Sequence, residues 1–182
     1  MNPVAIRAVD PERDAAACAA IYAPYVEASA TSFEEHAPSA EEIAARIERV
    51  TVTHPWLVAE IGGEALAYAY ACPHRERPAY RWAADVSVYV VGTQHRKGIG
   101  RSLYEALFEQ LRRQRYRVAC AGITLPNEAS VQLHERLGFV PVGVYREIGW
   151  KAGAWRDVGW WQLDLAPGAG EPPSEPLAPG AP

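Results

Sequence analysis

Apolar and polar positions along this chain follow two different periods in turn. Residues 5–9, 56–61, 64–71, 86–91 and 119–124 are short apolar or alternating stretches rich in β-branched and aromatic residues, the signature of strands. Between them the apolar positions space out. Ile99, Leu103, Leu107 and Leu111 recur every four residues, which places them on one face of a helix over roughly 98–113. Ile43, Ile47 and Val50 form a shorter stripe of the same kind. Local chemistry marks the ends. Asp10-Pro11 combines a cap with proline at a first helical position, and Ser39 followed by Glu42 reads as a capping box. Gly62-Gly63 supplies the positive φ angles of a tight hairpin turn. A further helix spans 127–137, with Gly138 suited to the left-handed cap position. Residues 140–148 and 156–165 close the series as a second hairpin. The order β-α-α-β-β-β-α-β-α-β-β mixes hairpins with crossover helices, so we expect an α/β (α+β) fold with a mixed sheet flanked by helices.

Composition narrows this picture. The length of 182 residues suits one domain, assigned to 1–165. Residues 166–182 read APGAGEPPSEPLAPGAP, too rich in proline for helix or ladder, and are expected to form a flexible tail. A formal net charge of -4 argues against a nucleic-acid or anionic-membrane binder. Cys18, Cys72 and Cys120 are odd in number and widely separated, which fits free thiols in a reducing cytoplasm. No apolar run approaches the ~20 residues of a membrane span, and the N-terminus lacks the basic start and apolar stretch of a secretion signal.

One segment concentrates positive charge against the acidic total: Gln94-His95-Arg96-Lys97-Gly98-Ile99-Gly100-Arg101, between a strand and an amphipathic helix. The opening N–H groups of a helix have no intrahelical partner and carry the positive end of the dipole. A phosphate can rest on them, provided no Cβ blocks the approach. A Gly-x-Gly pair alone is a weak signal, because many such loops only make a turn. GxxxxGK[ST] is missing, which removes a nucleotide-hydrolysing loop, and GxGxxG is incomplete because Leu103 stands at its third glycine.

The residues together resemble a known family. The loop around Gly98-Ile99-Gly100 after VSVYV is similar to the coenzyme A loop of the GNAT superfamily of N-acetyltransferases, and Asn127, Ser130 and Leu137-Gly138-Phe139 are similar to its second signature. Thr31-Ser32-Phe33, Pro55 to Glu60, Tyr80, Asp85 to Val90 and Gly153 to Gly159 look like its phosphinothricin acetyltransferase branch. The resemblance covers about 5–165. It implies a splayed sheet that opens between 86–91 and 119–124 to admit acetyl-CoA. The backbone of Val88, Tyr89 and Val90 would bond the pantetheine arm. The amides of Arg96, Lys97, Gly98, Ile99, Gly100 and Arg101 would hold the pyrophosphate, and Asn127 and Ser130 would assist. His95 departs from the family's Gln or Arg.

The chemistry that the resemblance implies can be assigned to residues. An amine attacks a thioester only as the free base, so a proton must be removed. Asp85 stands where the branch carries Glu and is the candidate base; an exposed carboxylate at a strand start is its ordinary alternative. His134 is a candidate donor to the leaving thiolate, or a local hydrogen-bonding residue, with Tyr104 and Tyr145 as backup donors whose commoner role is packing. The Tyr89 N–H is the candidate oxyanion donor. Phe33, Arg75, Tyr80, Arg81 and Trp155 are expected around the acceptor, with Arg75 or Arg81 on its carboxylate or else merely solvated. His36, His54 and His74 look isolated, so no metal is expected. Ser87 lies in no nucleophile elbow. The reading is acetyl transfer to a small amino-acid-like amine by a homodimer. A protein or peptide acceptor, or a non-catalytic CoA sensor, is the alternative.

Overall fold

The computed structural model describes residues 3–166 and 174–180. Among the described residues seven strands form one sheet, in the order β1-β2-β3-β4-β5-β7-β6. They are β1 (Ala5–Ala8), β2 (Trp56–Ile61), β3 (Glu64–Pro73), β4 (Ala83–Val90), β5 (Val118–Leu125), β6 (Val140–Lys151) and β7 (Ala154–Asp164). Neighbours run antiparallel except β4 and β5. The sheet is therefore mixed, and the element order is the one expected from periodicity.

The helices are α1 (Pro11–Glu27), α2 (Ala40–Thr51), α3 (Ile99–Arg113) and α4 (Glu128–Arg136). The N-terminal caps of α1 and α2 are those legible in the sequence. Asp10 accepts from the N–H groups of Glu12 and Arg13, and Ser39 and Glu42 form a reciprocal capping box. Gly62 and Gly63 turn the β2–β3 hairpin at φ of 62° and 88°.

Two apolar cores lie on opposite faces of the sheet. On one face α3 buries Ile99, Leu103, Leu107 and Leu111 against Ala67, Ala69, Ala71, Ala84, Ala119 and Ala121. The small residues of the sheet let the helix come close. On the other face Cys18, Ile21, Tyr22 and Val26 of α1 and Ile43 and Ile47 of α2 cover Trp56, Val58 and Tyr68. A partly buried ion cluster pins this second layer: Arg7 on β1 donates to both oxygens of buried Asp14, at 2.6 and 2.7 Å, and to Glu60 at 2.8 Å.

Of the tail expected at 166–182, residues 167–173 and 181–182 lie outside the described residues. The segment 174–180 is held against the body. Leu177 N–H donates to Gln114 O at 2.9 Å, and Gln114 Nε2 donates to Leu177 O at 2.7 Å. Glu175 pairs with Arg81, and Trp82 Nε1 donates to Ser174 O at 2.9 Å.

Candidate active site

The parallel pairing of β4 and β5 is brief. It registers Ala83 with Val118, Ala84 with Ala119 and Asp85 with Cys120, and goes no further. Beyond that row β4 continues beside β3 and β5 beside β7, so the two parallel strands part. The strands part between 86–91 and 119–124, the stretches that the family resemblance implied.

Backbone alternation decides which β4 amides face the opening. Val91 N–H donates to Leu66 O at 2.9 Å, which sets the phase of the β3–β4 ladder. In an antiparallel pair, alternate residues direct N–H and C=O to opposite neighbours. Tyr89 therefore turns its amide toward Tyr68 on β3, while Val88 and Val90 turn theirs toward the opening. This corrects the assignment of the Tyr89 N–H as oxyanion donor. Val90 is also already engaged: the Tyr25 hydroxyl donates to its carbonyl at 2.6 Å and accepts from its N–H at 3.2 Å. His95, where the family carries Gln or Arg, turns back so that its Nε2 lies 2.9 Å from the same carbonyl.

At the far end of β4 the chain enters α3 through Gly98, at φ 86°. A Cβ placed on Gly98 would meet nothing within 4 Å, so the loop has an open side above its backbone. Arg96 adopts φ 61°. Lys97 donates to Gln94 Oε1 and Arg101 to Glu105, so part of the cationic character is shared with neighbours. Asn127 caps α4 by accepting from Ser130 N–H at 3.1 Å, which leaves its NH₂ for a ligand. A polyphosphate carrier fits this arrangement of open backbone, helix terminus and parted strands.

Asp85 is the third residue of β4, not an exposed strand start, and its side chain is 27% exposed. Burial raises its carboxyl above the ordinary value, and a hydrogen bond and charge from His74 and the charge of Arg75 oppose this. His74 Nδ1 donates to Asp85 Oδ1 at 2.6 Å. The reading of His74 as isolated is thus corrected: the partners are 11 residues apart in sequence and become neighbours because Cys72, two residues before His74, is in register with Asp85. The His74 ring stands edge-on to Tyr80 and Trp160, at 6.0 and 5.8 Å.

The other assignments divide. Arg75 lies 5.8 Å over the Trp160 ring and acts electrostatically on Asp85. Arg81 is occupied by Glu175 at 2.7 and 2.8 Å and stacks on Trp82, so it does not line an open receptor for a carboxylate. Tyr80 joins the Asp85 group through His74, but Phe33 and Trp155 do not. Phe33 packs on Gly149 of β6, and Trp155 meets Trp150 at the β6–β7 hairpin end. Trp155 lies seven positions along β7 from Gln162, the residue in register with Cys120, or roughly 23 Å at ~3.3 Å per residue. The single pocket expected around these residues is therefore not formed within one chain.

His134 is buried, with burial lowering its pKa. Its Nδ1 donates to Ser130 O at 2.8 Å, so Nε2 is an acceptor in the neutral ring, facing the Tyr104 hydroxyl at 3.1 Å. Both nitrogens are engaged inside the protein, and the geometry is that of a residue holding α4 to α3. Tyr104 is buried as well, and Tyr145 is an exposed residue of β6.

Two cavities adjoin the sheet. One of about 320 Å³ is lined by Tyr22, Arg46, Arg49, Trp56, Tyr70 and Cys72, on the face that carries Asp85. The other, of about 250 Å³, lies between Thr31, Thr124, Asn127 and Arg156. Arg49 was not singled out from the sequence, because nothing in its local pattern distinguishes it from a surface cation, and Arg156 stood there only as part of the Gly153 to Gly159 match.

Comparison with known proteins accounts for this architecture. Residues 6–160 match the model of the acetyltransferase (GNAT) domain family. A phosphinothricin N-acetyltransferase from Streptomyces viridochromogenes is 38% identical over 97% of this chain and 96% of its own length. An L-methionine sulfoximine/L-methionine sulfone acetyltransferase from Pseudomonas aeruginosa is 41% identical over 63% of this chain and 67% of its own. The crystal structure of a phosphinothricin acetyltransferase from Sinorhizobium meliloti in complex with acetyl-CoA superposes with a TM-score of 0.89 at 31% identity, covering 94% of both chains. The chain belongs to the GNAT acetyltransferase family.

Proposed function

We propose that the chain moves an acetyl group from acetyl-CoA to the amine of a small amino-acid-like acceptor, such as phosphinothricin or methionine sulfoximine or sulfone. One observation carries the reading: a half-buried carboxylate, Asp85, stands at the row where β4 and β5 part. The coenzyme supplies the acetyl thioester. The backbone of Gly98, Ile99 and Gly100, with Arg96, Lys97 and Arg101, is assigned to its pyrophosphate, and Val88, Asn127 and Ser130 to its arm. Asp85 takes a proton from the acceptor ammonium, directly or through a water. His74 holds the carboxylate in place. Arg75 is assigned to the acceptor carboxylate, because Arg81 is committed to Glu175. The cavity beside Cys72 is of a size that suits a small acceptor.

A homodimer is part of this reading. It is supported by β6, the edge strand of the sheet, which exposes Val140, Val142, Val144, Tyr145, Ile148 and Trp150. Such an edge invites a partner. A second copy would also bring other side chains to Phe33 and Trp155. Free Cys18, Cys72 and Cys120 suit a reducing, cytoplasmic setting, and among the described residues no helix is long and apolar enough to cross a membrane.

The test is release of coenzyme A thiol with a panel of amino acids, sulfoximines and polyamines. Asp85→Ala is expected to lower kcat by about 10²–10⁴, the usual contribution of a positioned base, with unchanged acetyl-CoA affinity by calorimetry. Wild-type turnover in that variant would remove Asp85 from the mechanism. Absence of acetyl-CoA binding by the wild-type protein would remove the function itself.

A further inference from the structure

We propose that His74, Asp85 and Cys120 form a binding site for Zn²⁺ or a similar thiophilic divalent ion, and that the bound ion switches acetyl transfer off. A ring nitrogen of His74, a carboxylate oxygen of Asp85 and the Cys120 sulfur all lie within 4.8 Å of one another. Three strands converge to place them. Asp85 is in register with Cys120 across the β4–β5 pair, and His74 follows the end of β3. Side chains in register on neighbouring strands share a face, so the carboxylate and the sulfur project together.

The spacing suits a tetrahedral ion. Bonds of about 2.0–2.3 Å to nitrogen, oxygen and sulfur set ligand-to-ligand distances of roughly 3.3–3.6 Å. The His74–Asp85 distance of 2.6 Å and the 4.8 Å limit for the whole group bracket that range, so small side-chain rotations suffice. The donor set of one imidazole, one carboxylate and one thiolate is one that zinc takes, and three protein ligands leave a fourth position for water. The His74 and Asp85 side chains are 17% and 27% exposed, which gives an ion a route in from solvent.

Binding needs no further reactant. The Cys120 thiol gives its proton to solvent as the Zn–S bond forms. His74 binds the ion through Nδ1 as the neutral ring with its N–H on Nε2, the proton that bridges Nδ1 and Asp85 leaving to solvent, and the ion takes that proton's place between His74 and Asp85. The ion is an inhibitor here and not a cofactor, because a carboxylate bonded to zinc no longer accepts a proton from the acceptor. Binding stands on the geometry alone; the effect on turnover rests on the proposal that Asp85 is the base.

Cobalt(II) reports the site without relying on activity, since a cobalt–thiolate bond produces an ultraviolet charge-transfer band. The full chain, reduced and treated with a chelator that is then removed, is titrated with CoCl₂, and ZnSO₄ is used to displace the cobalt. We expect the band in wild-type protein, its retention in Cys72→Ala, and its loss in Cys120→Ala and Cys120→Ser. Circular dichroism and acetyl-CoA calorimetry establish that each variant is folded. Zinc affinity is expected to fall at least about tenfold in both Cys120 variants, the scale lost even when an outer partner of a ligand is removed. Zinc-free turnover of Cys120→Ala should stay within twofold of wild type, while its inhibition by zinc shifts to at least tenfold higher concentration. No band in the wild type, or a band that survives loss of Cys120, overturns the site. A band without inhibition of turnover overturns the switch and leaves the site standing. Failure of acetyl transfer in the wild type would leave the cobalt spectrum intact and so is distinguishable from failure of the site.

Discussion

His74 Nδ1 and Asp85 Oδ1 lie 2.6 Å apart across the β3–β4 pair, and this contact holds the carboxylate of the proposed base. Burial raises the Asp85 pKa, and the hydrogen bond and charge of His74 hold it down. Loss of His74 therefore pushes the pKa up further. In a pH profile of kcat/KM, the acid limb of His74→Ala is expected to lie at higher pH than that of the wild type, with the alkaline plateau less affected. His74→Gln, which keeps a donor, should shift less. An acid limb that does not move would show that His74 only packs beside the site.

Gly98 and Gly100 stand two residues apart and answer to different constraints. Gly98 has φ 86° and an open side. Gly98→Ala therefore strains the loop by about 1–2 kcal/mol, and relief of that strain moves the amides out of place. A rise of about tenfold in the acetyl-CoA Kd by calorimetry is expected. A Cβ on Gly100 would meet Val90, Val88 and Leu133 only at 3.5–3.8 Å, ordinary contact distances. Gly100→Ala should keep cofactor affinity and raise the melting temperature slightly, through better helix propensity. Equal losses in both variants would contradict the assignment of the loop.

His54 is buried between Thr53 Oγ1 at 2.7 Å and the Tyr116 hydroxyl at 2.9 Å, and burial lowers its pKa to about 4. The unfolded chain binds this proton near pH ~6.5. Between those values the unfolded state carries the proton and the folded state does not, so stability is full above ~6.5 and falls as pH drops toward 4. At about 1.4 kcal/mol per unit the ceiling is about 3 kcal/mol. Buried His134, also shifted down, acts in the same direction. Urea midpoints from pH 8 to 4.5 should decline less steeply in His54→Gln than in wild type; identical slopes would exclude His54 as a source.

The exposed β6 edge sets an expectation for assembly. Sedimentation equilibrium should give twice the chain mass. Trp150→Ser combined with Val142→Asp removes apolar area and places charge on the edge, and should shift the protein toward a monomer with an unchanged far-ultraviolet spectrum. A wild-type protein that stays monomeric at micromolar concentration would refute the dimer.

Much of the fold was legible because its signals are local. The α3 stripe, the caps at Asp10 and Ser39 and the Gly62-Gly63 turn each depend on residues a few positions apart. The strand bounds drifted more. β4 begins at Ala83, ahead of the apolar run, because pairing with β3 and β5 extends it into Ala83-Ala84-Asp85. The candidate site was readable in part: the glycine turn at Gly98 that opens α3 follows motif spacing. It was not legible where strands from distant segments meet.

The sequence by itself determined the order of elements, the buried faces of the helices and the glycine turn that opens α3. These follow from side-chain period and from the backbone freedom of particular glycines. Only the tertiary structure decided that His74 and Cys120 stand beside Asp85, that Arg81 is held by Glu175, and that the Tyr89 amide faces β3. Strand register and the phase of a ladder are collective properties. They depend on how separate segments align, and no single segment contains that information.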